Sequence, residues 1–590
     1  MNWEVSTMKS RISFFNKAIF RKNITRFFPV WALYTIFLLL VFSTFADAGY
    51  PGRTARNLAD SMGPLVWVNL LYAFLCAALL LGDLFQGRMC NALHALPLRR
   101  ETWLGTHVIT GLLFSLVPNA LITVIAAALT MEYAYIALLW LAVMTMQFLF
   151  FFGTAVFAAL CAGSRLGMAA VYGLFHFITL LVYALAELIY QPLLHGITFD
   201  SEAFYRFLPL SQLQNSNYLE LRYLPTTMEL DFLGIQPGMW IYAGLCAGVG
   251  VLFVGLAMLV YRRRQLESAG DLLSLRPLRP VFLVLYTLGM GAVFFLASEL
   301  FIGEPVYLFL AVGLVVGFFT GQMLLNRSVR VFRKKILLQF AVFTAVFGLS
   351  LGLTKMDPLG ITTKVPDTEE VLWAAVYSSD YDYVYRDDSQ YAKIQITDPQ
   401  EIEQLRQFHS RLTTDPLKTD DRTQKVTILY MRKDGSRLVR HYQVPVDGPL
   451  GQQAKTYFSD MRYIFQTNHP QLLQKHIQSV YINCYEWELM EKWDLKPDVN
   501  GIAEIKLTDP EQIAGLLDAI QADCAAGNMT QYWGYHQDEA QLFTMEFSID
   551  EGQNWEDGYP DQYIGLQVFE SAENTVAYLQ DYVSAMSKQS

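Results

Sequence analysis

The stretch Arg333-Lys334-Lys335-Ile336-Leu337-Leu338-Gln339-Phe340-Ala341-Val342-Phe343-Thr344-Ala345-Val346-Phe347-Gly348-Leu349-Ser350-Leu351-Gly352-Leu353 decides how this chain is read. Three basic residues precede eighteen uncharged ones, the pattern of a helix that enters a bilayer from its basic side. Charge changes sign here. Through Leu353 the 590-residue chain holds 24 Lys and Arg against 16 Asp and Glu; after it, 20 against 38. The first part carries nearly all the long apolar runs and the second has an ordinary soluble composition, which excludes a single soluble enzyme. A net charge of −10 argues against nucleic acid as a partner, since phosphate neutralisation needs a clustered basic face. The six cysteines show no C-x-x-C spacing, so neither a zinc site nor a disulfide framework is implied.

Moving toward the N-terminus, eight further runs approach or exceed the length of about 20 apolar residues that a bilayer demands. Spans are predicted at 30–46, 63–82, 104–130, 136–162, 168–190, 239–260, 280–298, 306–325 and 336–353. The expected fold is therefore a polytopic α-helical membrane protein of about nine transmembrane helices, residues 30–353, followed by an α+β soluble region. Lys and Arg are retained in cytoplasmic loops. With the N-terminus inside, the inner segments hold twenty basic residues and the outer loops four, Arg53, Arg56, Arg206 and Arg222. Nine crossings then place the C-terminal region outside the cell membrane; were 336–353 an interfacial helix, that region would be cytoplasmic. The leader, residues 1–29, reads as a basic amphipathic helix on the inner lipid surface, with Phe14, Phe15, Ala18 and Ile19 among Lys17, Arg21 and Lys22.

Within the spans, Gly313, Gly317 and Gly321 share one helix face, as do Gly244 and Gly248, and such spacing lets a neighbouring helix approach closely. Ionisable groups at membrane depth are sparse, which points away from an ion-driven carrier. Glu187 reads as a headgroup-level residue and His176 as a hydrogen-bonded packing residue.

Between the second and third spans the chain reads Gly82-Asp83-Leu84-Phe85-Gln86-Gly87-Arg88-Met89, then His94-Ala95-Leu96-Pro97-Leu98-Arg99-Arg100-Glu101-Thr102-Trp103. A basic Leu-Pro-Leu-Arg-Arg loop running straight into a helix resembles the membrane subunits of ABC-2 type transporters, and the leader resembles that family's elbow helix. The later stretch Tyr261-Arg262-Arg263-Arg264, with Ser268-Ala269-Gly270 and Arg276-Pro277-Leu278-Arg279-Pro280, is similar to permeases of Gram-positive bacteria that carry additional spans. The resemblance covers residues 1–350. It implies a permease subunit, more often an exporter, whose loop meets a separate ATPase through Asp83, Phe85, Arg88, Leu96, Pro97, Arg99, Arg100 and Glu101. A second permease copy or a paralogue would complete the membrane part, in contact with membrane lipid. Physics gives an independent reason for such a loop, because a soluble motor can drive membrane helices only through a rigid cytoplasmic element. An ordinary inner loop turning at Pro97 is the plainer account.

The motor itself is not encoded. The chain has no G-x-x-x-x-G-K-[ST] phosphate loop, no H-E-x-x-H and no G-x-S-x-G. No catalytic, cofactor-binding or metal-ligating residue is expected.

The acidic region repeats a pattern. Lys393-Ile394-Gln395-Ile396-Thr397-Asp398-Pro399-Gln400-Glu401-Ile402 matches Glu504-Ile505-Lys506-Leu507-Thr508-Asp509-Pro510-Glu511-Gln512-Ile513. Each reads as a strand, an Asp cap, a Pro at the first helical position and Glu or Gln three after the cap, completing a capping box. Hairpins are predicted from 427–431 with 438–444 and from 542–549 with 563–568, each followed by a helix. Two similar α+β modules result, 354–470 and 471–590. The acidic and aromatic run Tyr377–Tyr391 could recognise a cationic ligand, though a solvated hairpin explains it as well. Cys484 and Cys524 could pair only if the fold brings them close. Three functional classes stay open: a transporter subunit, a membrane sensor or scaffold whose exterior modules bind a ligand, and a polytopic membrane enzyme, which would require a polar cluster at one depth of the membrane.

Overall fold

The computed structural model describes residues 15–95, 98–199, 204–205, 207–214, 217–224, 229–264, 269–275, 277–301, 306–378, 394–414, 422–446, 448–465, 477–498, 501–529, 540–549 and 563–587. Expectations that rest on Lys9, Arg11, Phe14, Leu96, Pro97, Arg206, Ser268, Arg276, Lys393 and residues 379–391 and 550–562 lie outside them. The chain forms two units, one of residues 1–189 and 199–348, the other of 190–198 and 349–590.

The first unit is helical. Helix α1 (Lys17–Arg26) is capped by Asn16, whose Oδ1 accepts from the N–H groups of Ala18 and Ile19 at 3.0 and 3.1 Å. The chain bends by 59° into α2 (Phe28–Ser43), and α3 (Pro51–Asp60) bends by 57° into α4 (Leu65–Leu80). Sixteen residues rise only about 24 Å, so neither α2 nor α4 alone matches a hydrocarbon core of about 30 Å. Short α5 (Gly87–His94) precedes α6 (Arg100–Thr130) and α7 (Ala134–Cys161). The latter two make up one 62-residue helical stretch that reverses at the turn Met131–Tyr133, where Met131 has φ 46°. A Cβ on Gly111 would lie 2.1 Å from the Phe152 ring, so the two helices run antiparallel in close contact.

Helix α8 (Arg165–Leu185) ends in a π turn, Ala186–Tyr190. There follow α9 (Pro209–Gln214), a hairpin of β1 (Leu219–Leu224) and β2 (Glu229–Ile235), and the long helices α10 (Pro237–Arg263), α11 (Leu278–Phe301), α12 (Val306–Asn326) and α13 (Lys334–Met356). Among the described residues, six helical stretches are long and apolar enough to cross a membrane, eight if each bent pair is one span. The count falls below the nine expected because the spans predicted at 104–130 and 136–162 belong to one stretch that folds back on itself, and because two others are bent. The outward residues of α2 and α10, among them Leu33, Leu40, Ile241 and Leu245, are exposed and apolar, as lipid contact requires.

The glycines sort by partner. Added Cβ atoms on Gly313, Gly317 and Gly321 would meet Phe294, Met290 and Leu283 of α11 at 2.7 to 2.9 Å, so α12 packs closely on α11. Gly244 and Gly248 have no atom within 4 Å of such a position. The close approach of α10 is made instead by Gly250, opposite Leu149, Phe150 and Gly153 of α7.

The second unit holds two antiparallel sheets, each with its own apolar core. In the first module β3 (Val371–Ser378) pairs with β4 (Thr423–Arg432), which pairs with β5 (Arg437–Pro445); α14 (Pro399–Thr414), α15 (Pro449–Phe458) and α16 (Met461–Ile464) complete it. Ile396 bridges to Ala374 on the free side of β3. The second module has β6 (Ile477–Cys484), short α17 (Trp487–Lys492), β7 (Ala503–Leu507), α18 (Pro510–Ala526), β8 (Gln541–Ile549), β9 (Tyr563–Phe569) and α19 (Glu573–Ser587), in sheet order β7-β6-β8-β9. With the Ile396 bridge in the place of β7, both modules follow one path: strand, edge strand, capped helix, hairpin, helix. Asp398 Oδ2 accepts from Glu401 N at 3.3 Å and Asp509 Oδ1 from Glu511 N at 3.2 Å. The Glu401 carboxylate does not close a box; it takes Arg462 at 3.1 Å. Cys484 and Cys524 are free.

Candidate functional site

Residues 82–101 begin with a one-turn 3-10 helix, Gly82–Phe85, whose Leu84 and Phe85 are buried. Helix α5 then presents Arg88, Met89 and Asn91 to the exterior while Cys90 points inward. Asp83 lies 3.6 Å from Arg26 of α1. Arg100 donates through Nη1 to the carbonyls of Tyr261, Arg262 and Arg264 at 2.7, 3.1 and 3.2 Å, and its guanidinium stands over the Tyr261 ring. Glu101 receives Arg262 Nε at 2.9 Å. Helix C-termini leave carbonyls without intrahelical donors, and arginine satisfies them here. Buried Arg264 does the same for α7: Nη1 reaches the carbonyls of Ala159 and Leu160 at 3.1 and 3.4 Å, and Nη2 that of Leu84 at 3.3 Å.

The cluster extends further. Ser274 donates through N to Cys161 O and through Oγ to Leu160 O, both at 2.8 Å. Asp271 holds Arg279 at 3.3 Å and Arg327 at 3.6 Å. Every segment joined here belongs to the basic set that the sequence places on one side of the membrane. Of the residues expected at a motor contact, Asp83, Phe85, Arg100 and Glu101 are spent on intrachain anchoring, whereas Arg88 and Arg99 are exposed. Arg99 stands at the cap of α6. Sequence reasoning missed Arg264, whose run of three arginines signals a helix end without telling which one turns inward.

A second polar set lies inside the helical unit. Pro118 sits within α6 and lacks an N–H, which frees the carbonyl four residues earlier, that of Phe114. Tyr72 donates its hydroxyl to this carbonyl at 3.0 Å and stacks on Tyr34 with ring centres 3.8 Å apart. Ser115 and Asn119 flank the proline and are bonded to each other at 3.0 Å. Asn69 donates to Gln147 Oε1 at 2.9 Å. Elsewhere His176 Nε2 meets Thr154 Oγ1 at 2.9 Å in an aromatic surround, and Glu187 lies in the π turn that ends α8.

In the second unit, residues 190–198, which follow α8, pack on the first module. His441 N donates to Gly196 O at 3.0 Å, and His195 Nε2 is 2.9 Å from Leu412 O. Gly196 has φ +74°, and a Cβ there would stand 2.4 Å from the Tyr442 ring. Tyr442 in turn bonds buried His409 Nε2 at 2.9 Å. The Tyr190 hydroxyl meets Ser350 Oγ at 2.9 Å. This clasp carries no motif in the sequence, since its bonds use mainly backbone groups.

No protein-family profile matches the chain, and neither a curated protein nor a solved structure matches it.

Proposed function

We propose that the chain is the membrane subunit of an ATP-driven transporter, an exporter of the ABC-2 type, powered by a separate ATPase that docks on residues 83–101. The observation that carries this reading is the anchoring of α5. Its outer face, Arg88, Met89 and Asn91, is open, while its flanks are tied through Arg26, Arg100, Glu101, Arg262 and Arg264 to the ends of α1, α6, α7 and α10. A push on such an element moves several helix ends together, which a motor requires and an ordinary loop does not. On this reading the basic cluster is cytoplasmic, the modules of 354–590 are extracytoplasmic, and a second copy or a paralogue completes the path in the lipid.

Copurification from the native host tests it. An ATPase chain is expected to accompany the protein, and Arg88→Glu with Met89→Asp should abolish the association while leaving the melting temperature unchanged. Absence of any ATPase, together with substrate movement indifferent to ATP depletion, refutes the proposal. The clasp favours a second reading, a membrane sensor or scaffold, because it ties residues 190–198 to the first soluble module. A sensor without a motor tolerates the Arg88 and Met89 changes.

A further inference from the structure

At the end of the helical unit away from the basic cluster is a cavity of about 330 Å3, lined by Arg56, Asp60, Met62, Gln214, Asn217 and Tyr218 among others. That is the lower end of the range for ligand sites. Its floor continues into the bundle by hydrogen bonds. Gln147 donates through Nε2 to Met62 O at 3.0 Å and to the Tyr218 hydroxyl at 3.3 Å, both cavity-lining residues. Gln147 Oε1 accepts from Asn69 Nδ2 at 2.9 Å. The Tyr34 hydroxyl stands 3.4 Å from Asn69 Oδ1 and 3.5 Å from Asn119 Oδ1, and Asn119 Nδ2 donates to Ser115 Oγ at 3.0 Å.

Three properties of this chain decide what it can hold. All its members are neutral, so none of them balances a net charge, and uncompensated charge in a membrane interior costs several kcal/mol. Amide, phenol and hydroxyl groups both donate and accept, so they can match a ligand of either polarity. The Tyr34 contacts are long for O–H···O bonds, whose usual length is about 2.7–2.8 Å, so that hydroxyl is weakly held between two acceptors. The chain also sits where Pro118 removes one backbone hydrogen bond from α6, and such a loss inside a membrane helix is tolerated where neighbouring groups satisfy the freed carbonyl, as Tyr72 does here.

We propose that the chain from Tyr218 to Ser115, reached through the cavity, binds an uncharged polar group that both donates and accepts hydrogen bonds, a hydroxyl- or amide-bearing molecule, and excludes molecules of net charge; the Arg56–Asp60 pair on the cavity wall carries no net charge of its own. The assignment deepens the transporter reading and rests on it for the direction of movement. The group arrives either free from water through the cavity or as the head of a lipid from the bilayer.

Thiol labelling of the full-length protein in vesicles tests this. Asn119→Cys and Gln147→Cys are reacted separately with three methanethiosulfonates of similar size, bearing a hydroxyethyl, a quaternary ammonium or a sulfonate group. The cysteine thiolate attacks the sulfenyl sulfur, a mixed disulfide forms and methanesulfinate leaves. The expected result is labelling by the hydroxyethyl reagent at least tenfold faster than by either charged one, above the background of the unsubstituted protein. Asn69→Cys replaces either variant whose melting temperature shows that it has not folded. Asn217→Trp on the cavity wall then separates the sources: it slows the soluble reagent if entry is from water, and leaves an acyl-chain-bearing hydroxyl reagent as fast if entry is from lipid. Equal rates for a charged reagent, or no labelling of folded variants by any reagent, overturn the proposal. Neither nucleotide nor a second chain is present, so that failure leaves the docking of an ATPase standing, and failure to find an ATPase leaves the labelling result standing.

Discussion

Arg264 shows how much a single side chain holds at the basic end of the helical unit. It is 8% exposed and donates to carbonyls at the end of α7 and in the turn before α5. Hydrogen bonds from a charged donor contribute about 1.5–3 kcal/mol. Arg264→Met should therefore lower the melting temperature clearly, and Arg264→Lys should recover only part of it, because an ammonium cannot span the same carbonyls. His409 offers a residue-scale prediction of the opposite electrostatic kind. Burial first, and the Arg440 guanidinium second, push its pKa down to about 3. It is neutral in the folded module and titrates near 6.5 when unfolded. Its contribution is thus complete above pH 6.5 and is lost as pH falls toward 3. Between pH 6.5 and 5 the loss is about 1.5 kcal/mol. Hydrogen exchange of the β4 and β5 amides checks this: protection should fall about tenfold more over that interval in the native protein than in His409→Gln.

At the scale of elements, the soluble modules were legible because their signals are local. Asp398-Pro399 and Asp509-Pro510 start helices by supplying an acceptor and a pre-set φ, and Lys433-Asp434-Gly435-Ser436 turns a hairpin because Gly435 takes φ +81° and Asp434 accepts from Ser436 N at 2.8 Å. The capping box failed for a nonlocal reason: Arg462, 61 residues later, takes the Glu401 carboxylate. The polar chain in the helical unit was illegible for the same reason. Asn69, Asn119 and Gln147 each vanish in the average over an apolar window, and only tertiary contact makes them neighbours. The clasp yields an element-scale prediction. Gly196→Val adds a branched side chain at φ +74° against the Tyr442 ring, at a cost of about 1–3 kcal/mol. Hydrogen exchange at residues 190–198 should then rise severalfold, with exchange in the α6–α7 hairpin unchanged.

At the scale of the molecule, the contact of residues 190–198 with the first module fixes a parity. Both lie on one side of any membrane, so the chain between Thr198 and Val371 crosses it an even number of times, which matches the four helices long and apolar enough to cross, α10, α11, α12 and α13. Thr198→Cys and Ser410→Cys should accordingly react with an impermeant reagent from the same side. Labelling of Thr198 and Ser410 from opposite sides would contradict the arrangement. The clasp also sets an order in time. The module that holds Gly196 is synthesised about 245 residues after it, which at about 5–20 residues per second is a delay of roughly 12–50 s. During that interval residues 190–198 have no clasp. A ribosome that stalls before Tyr442, or a truncated message, would leave the preceding helices made but residues 190–198 never fastened to their module.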